Sequence, residues 1–75
     1  MVDTAKLKSI MVLCGFTQKT LATEMNIGVT SLNEKINNKQ VFRCDEVDKI
    51  CEVLQITDAE EMRSIFFAQS IPQMG

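Results

Sequence analysis

The sequence contains no histidine, tryptophan or tyrosine and has a single proline and three glycines in 75 residues. Without histidine the commonest general base and the commonest metal ligand are both missing, and no Gly-rich phosphate loop is present. No nucleophile has a base partner, and the carboxylates cluster at helix starts and solvated faces. An enzyme is therefore not expected, nor a cofactor. The three cysteines, Cys14, Cys44 and Cys51, do not form a C-x-x-C pair. No metal site is expected, and core thiols in a reducing, cytoplasmic compartment are the reading. There is no apolar run long enough to span a bilayer, so no membrane partner is implied.

Scarcity of aromatics, four Phe only, combined with 45% hydrophobic residues points to a small core of aliphatic side chains. Helices suit such a core better than a β-sandwich. A chain of this length buries only about 60% of its unfolded surface, which is enough for one domain over residues 1–75.

The net charge of -2 is unevenly spread. Residues 1–43 carry six cations against three anions, a net +3, and residues 44–75 carry two cations against seven anions, a net -5. The first part can meet phosphate and the second repels it.

Helical spacing recurs along the chain. Residues 4–14 place Leu7, Ile10, Met11 and Cys14 inward, with Asp3 or Thr4 as N-cap and Gly15 as the stop. Thr17 caps a helix over 18–25, with Leu21, Ala22 and Met25 inward. Asn26 tolerates the left-handed conformation that ends it, and Gly28 opens the next. Residues 29–36 turn Val29, Leu32 and Ile36 inward and Thr30, Asn33, Glu34 and Asn37 outward. A fourth helix over 44–54 has an apolar stripe of Cys44, Val47, Ile50, Cys51 and Leu54, with acids in its first turn. A capping box at Thr57 and Glu60 opens a fifth over 58–67, and residues 68–75 are a loose tail that Pro72 keeps out of the helix. The expected architecture is an all-α, compact five-helix bundle.

The stretch TQKTLATEMNIGVTSLNEKINN resembles the helix-turn-helix of the phage repressor and Cro family, also called the XRE family. The features that carry the resemblance are Gln18, Ala22 at the helix crossing, the turn from Asn26 to Gly28, Leu32, and the polar loop after Ile36. The segments VFRCDEVDKICEVLQI and TDAEEMRSIFF resemble the fourth and fifth helices of short phage and prophage regulators, so the likeness spans residues 4–67. Asn26 stands where the family most often has Gly. Gly28 and Arg43 stand where capping Ser or Thr is usual.

The resemblance implies a fold and a set of sites. Helix 29–36 becomes the recognition helix of a lambda repressor-like domain, reading double-stranded operator DNA in the major groove while helix 18–25 braces it. Val29, Thr30, Asn33 and Glu34 match the base-reading positions: a thymine methyl for Val29, adenine for Asn33, a cytosine amino group for Glu34. Gln18 is placed to hold a phosphate and to support a side chain at the start of the recognition helix. Ser31 and Lys35 lie to the sides, and Asn38, Lys39 and Gln40 form a loop approaching the sugar-phosphate backbone. Lys19, Lys35, Lys39 and Arg43 supply the attraction, for a slope of log affinity on log salt of roughly -3 to -4 per subunit.

In the apolar stretch SIFFAQSI, adjacent Phe66 and Phe67 point about 100° apart on a helix and cannot both enter one core. One of them, with Ile71 and Met74, forms either an apolar patch for a homodimer or partner phage repressor, or a surface covered by the tail. Two functions follow. One is a regulator that occupies an operator and excludes polymerase, with half-sites about one helical turn apart if it dimerises. The other is an antirepressor or modulator that binds a repressor and alters its DNA occupancy.

Overall fold

Asp3 opens the first helix. Its carboxylate accepts the backbone N–H of Lys6 at 3.1 Å, satisfying one of the donors that a helix start leaves unpaired. In the structure, a computed structural model that describes residues 1–67, five helices follow in order: α1 Thr4–Leu13, α2 Gln18–Met25, α3 Val29–Ile36, α4 Cys44–Leu54 and α5 Ala59–Phe66. No strand occurs among the described residues. The tail residues Ile71 and Met74 lie outside them.

Each boundary has a local cause. α1 stops at Gly15, whose φ of 80° is open to glycine without a Cβ penalty. The N–H of Phe16 then returns to the Met11 carbonyl at 2.8 Å. α2 is capped reciprocally: Thr17 Oγ1 accepts from the Thr20 N–H at 3.1 Å, and Thr20 Oγ1 accepts from the Thr17 N–H at 2.9 Å. Threonine thus fills the role that Glu or Gln usually plays in a capping box. At the end of α2, Asn26 adopts a φ of 59°, and the Ile27 N–H bonds the Ala22 carbonyl at 3.0 Å. α4 ends at Gln55, also left-handed at 60°.

Several boundaries and stripes differ from the sequence expectation. The cap of α5 is Asp58, which accepts from the Glu60 N–H at 3.1 Å, rather than Thr57. A carboxylate at the helix start also gains from the dipole, which a hydroxyl does not. Cys14 is the C-cap of α1 and is exposed, Cys44 is exposed at the start of α4, and Cys51 is half-buried. The expectation of core thiols is therefore corrected: the first two sit at helix ends, where the chain leaves the core. Val29 is corrected likewise: it is the first residue of α3 and is exposed.

Leu7, Leu21, Leu32, Ile36, Ile50 and Ile65, at least one from every helix, are fully buried. Burying each contributes about 2 kcal/mol. Ala22 is buried too, and a side chain of one carbon lets α2 and α3 approach closely. Phe66 enters the core and meets Phe42 edge to face, with ring centroids 5.5 Å apart at 88°.

One part of the fold has no counterpart in the helical pattern. Residues before α1 strap the end of α3 to α5. Val2 is buried and its N–H donates to Asn38 Oδ1 at 2.7 Å, while Asn38 Nδ2 donates to the Val2 carbonyl at 3.0 Å. The Asp3 N–H donates to the Ile65 carbonyl at 2.7 Å, and Thr4 Oγ1 donates to the Ile36 carbonyl at 2.6 Å.

Candidate nucleic-acid interface

α2 and α3 meet across a turn that Asn26 makes left-handed and that Ile27, half-buried, pins to the core. With Leu32, Lys35 and Ile36 buried on one side of α3, the opposite side is free. Val29, Thr30 and Asn33 are exposed there. Gly28 precedes α3 in an extended conformation and makes no side-chain cap, so the first N–H groups of α3 are left to solvent.

Gln18, in the first turn of α2, reaches across to α3. Asn33 Nδ2 donates to Gln18 Oε1 at 2.9 Å, which fixes the orientation of both amides. Gln18 keeps its own Nε2 donors for another partner, and Asn33 keeps its oxygen and one N–H. That pair of groups is what a bidentate contact with adenine uses. The expected partner of Gln18 was a side chain at the start of α3, whereas the residue it meets, Asn33, lies past the middle of that helix.

Glu34 is half-buried and bonded to Gln40 Nε2, and its backbone carbonyl accepts from the N–H groups of Lys39 at 2.8 Å and Gln40 at 3.3 Å. The loop after α3 is thereby folded back over the end of the helix, with Lys39 exposed at its tip. Ser31 is half-buried and Lys19, on α2, is exposed.

Two residues expected at the interface are committed elsewhere. Lys35 is only 7% exposed, and its ammonium lies 2.7 Å from Glu46 Oε1 on α4. The expectation that Lys35 offers its charge to phosphate is corrected on that ground. Asn38, at a φ of 65°, spends its side-chain amide on Val2 in the strap, and its expected part in a backbone contact is corrected too. Arg43 is exposed, with Nε 3.6 Å from Asp45 Oδ1, a solvated pair of small worth. The cations open to solvent on this side are therefore Lys19, Lys39 and Arg43.

Glu46 binds twice. Besides Lys35 it accepts the Arg43 backbone N–H at 2.9 Å, closing the start of α4. Burial pushes its carboxyl up, but the Arg43 N–H bond and the Lys35 ammonium outweigh burial and hold it below the usual carboxylate range. Cys51 is shifted the other way, its thiol raised by burial and by the nearby Asp48 charge.

The second candidate surface lies around the end of α5. Phe67 is 49% exposed and Val41 86%, and with Met1 they border a cleft of about 240 Å³ floored by Phe42 and Phe66. Phe66 was expected among the interaction residues and is instead in the core, for the geometric reason that two adjacent aromatics diverge on a helix. The local sequence signalled Glu46 only as an acid in the first turn of α4; its pairing with Lys35 and the part played by Val2 had no local signal, because those partners belong to other elements.

Two short helices joined by a left-handed turn, one braced by the other and presenting a free polar side, constitute a helix-turn-helix. The sequence model of the Cro/C1-type HTH DNA-binding domain matches residues 6–61, and the chain belongs to that family, whose members are DNA-binding transcription regulators. No curated protein and no solved structure matches the chain. No helix among the described residues is long and apolar enough to cross a membrane.

Proposed function

We propose that this chain is a phage or prophage transcriptional regulator that binds operator DNA by inserting α3 into the major groove. The observation that carries the reading is the Gln18–Asn33 hydrogen bond, which braces an exposed amide of α3 against the N-terminal turn of α2. Thr30 and Val29 stand beside Asn33 on the same open side, able to take a hydrogen bond and a thymine methyl respectively. Gln18 Nε2, Lys19 and Lys39 serve the phosphates on either side, and Glu34 and Gln40 shape the loop between them.

The test is a fluorescence-anisotropy titration of duplexes taken from the DNA flanking the gene against a random-sequence duplex. Sequence-dependent binding that Thr30→Ala and Asn33→Ala weaken is expected. Binding that does not change with salt, or no preference for any flanking duplex, overturns the reading.

A second reading, a modulator that binds a repressor protein, is favoured by the apolar border of Met1, Val41 and Phe67 and by the acidic character of the chain from Cys44 onward. In that case a neighbouring repressor added to the same titration changes its own DNA occupancy in a manner that depends on Phe67.

A further inference from the structure

The recognition helix carries one lysine, and the fold turns it away from solvent. Position 35 shares the inner side of α3 with Leu32 and Ile36, and the side chains of Lys35 and Glu46 are only 8% and 15% exposed. The Glu46 oxygen that meets the Lys35 ammonium at 2.7 Å also accepts the Arg43 N–H at 2.9 Å. The carboxylate is thus anchored by the backbone at the start of α4 and cannot follow the lysine outward. An ion pair removed from water competes well against an exposed phosphate, because solvent and salt screen the second contact far more than the first.

We propose that Glu46 is a positioning residue that limits the sequence-independent affinity of this protein for DNA, by holding the Lys35 ammonium inside the bundle and off the phosphate backbone. The inference rests on the reading of α3 as the DNA-contacting helix. Position 35 lies on the inner side of α3, away from Thr30 and Asn33, but the ammonium ends beside the backbone of Arg43, an exposed residue at the close of the loop that follows α3. Once Lys35 is freed, its four-carbon stem brings the charge to a phosphate. Every phosphate so neutralised strengthens binding to all sequences alike and makes it more sensitive to salt. Withholding this cation leaves Lys19, Lys39 and Arg43 to meet phosphate and keeps binding dependent on what Thr30 and Asn33 read.

The experiment measures salt-dependent anisotropy of the full chain on a random-sequence duplex and on the flanking-DNA duplex. Glu46→Gln keeps an acceptor for the Arg43 N–H and removes the charge that holds Lys35. It is expected to bind the random duplex about 10-fold more tightly at low salt, with the log–log slope steeper by about 0.9. Asp48→Asn, the same change of net charge on an exposed residue of α4, is expected to leave the slope as it is. An unchanged slope in Glu46→Gln, or an equal steepening in Asp48→Asn, overturns the proposal.

The double variant Lys35→Gln/Glu46→Gln decides independently, including the case in which the single variant does not fold. A hidden lysine contributes nothing to the wild-type slope, so the double variant keeps that slope. A slope shallower by about 0.9 means that Lys35 already touches phosphate and sinks the inference. Slopes that behave as stated with no preference for any flanking duplex remove the operator reading and leave the masking of Lys35 standing. Operator preference with an unmoved Glu46→Gln slope does the reverse, and absence of all DNA binding at low salt removes both.

Discussion

The side chains of Gln18 and Asn33 are joined at 2.9 Å across the two helices of the motif. The bond is exposed, so its worth to folding is small, on the order of 0.5–1 kcal/mol. On the proposed reading its worth to DNA binding is larger, because an amide free to rotate must be ordered when it meets a base. Gln18→Ala is expected to lower operator affinity about 5- to 20-fold, that is about 1–2 kcal/mol, while the thermal midpoint falls by about 2–8 °C. In a double-mutant cycle with Asn33→Ala, the two effects on binding should fall short of additivity. Strict additivity would mean that the two residues act separately.

The elements legible in the sequence were those governed by neighbours within one turn. Thr17, Leu21, Ala22, Met25 and Asn26 carry cap, stripe and stop in consecutive positions, and α2 follows with its expected bounds, Gln18–Met25. What escaped was set by partners far along the chain. Asn38 and Val2 are 36 positions apart and Lys35 and Glu46 are 11 apart, and no local periodicity reports such pairs. The cysteines escaped for a different reason. A general tendency of thiols to be buried gives way when the position is a helix end, as at Cys14 and Cys44.

Gly28 offers a stabilising substitution. Its backbone is extended, at φ -71° and ψ 146°, and a Cβ built there meets nothing within 4 Å. Gly28→Ser adds a side-chain acceptor for the unpaired N–H groups of α3 and removes freedom from the unfolded chain. Together these are expected to contribute about 1 kcal/mol, visible as a rise of about 4–8 °C in thermal midpoint. A fall in the midpoint would show that the N–H groups at this helix start are already satisfied.

The Glu46 carboxyl imposes a direction on acid unfolding. Its folded-state value lies below the ordinary 4.5, so the stability it contributes is present above 4.5 and is lost as pH falls through the lowered folded-state value. At neutral pH, Glu46→Gln should lower the urea-unfolding free energy by about 2 kcal/mol, less than the 3–5 of a fully buried pair because water still reaches part of this one. The gap between wild type and variant should narrow as the solution is taken below pH 4.5. A gap that is constant with pH would mean that the carboxylate charge is not what holds Lys35.

With Lys35 turned inward, electrostatic attraction has to come from Lys19, Lys39 and Arg43, and Arg43 shares its charge with Asp45. Two to three phosphates per subunit give a slope of log affinity on log salt of about -2 to -3, shallower than the sequence alone implied. Lys39→Gln should reduce that slope by about 0.9 and weaken all duplexes alike, whereas Thr30→Ala should leave the slope and erode only the preference for the operator. Phe67→Ser, at a half-exposed position remote from Thr30 in sequence, should leave both quantities where they are. If it abolishes operator binding while the monomer stays folded, the apolar border of Met1, Val41 and Phe67 is the surface through which two copies pair. If operator binding survives and only the response to an added repressor is lost, the surface belongs to a partner protein, and α3 and α5 serve two different ligands.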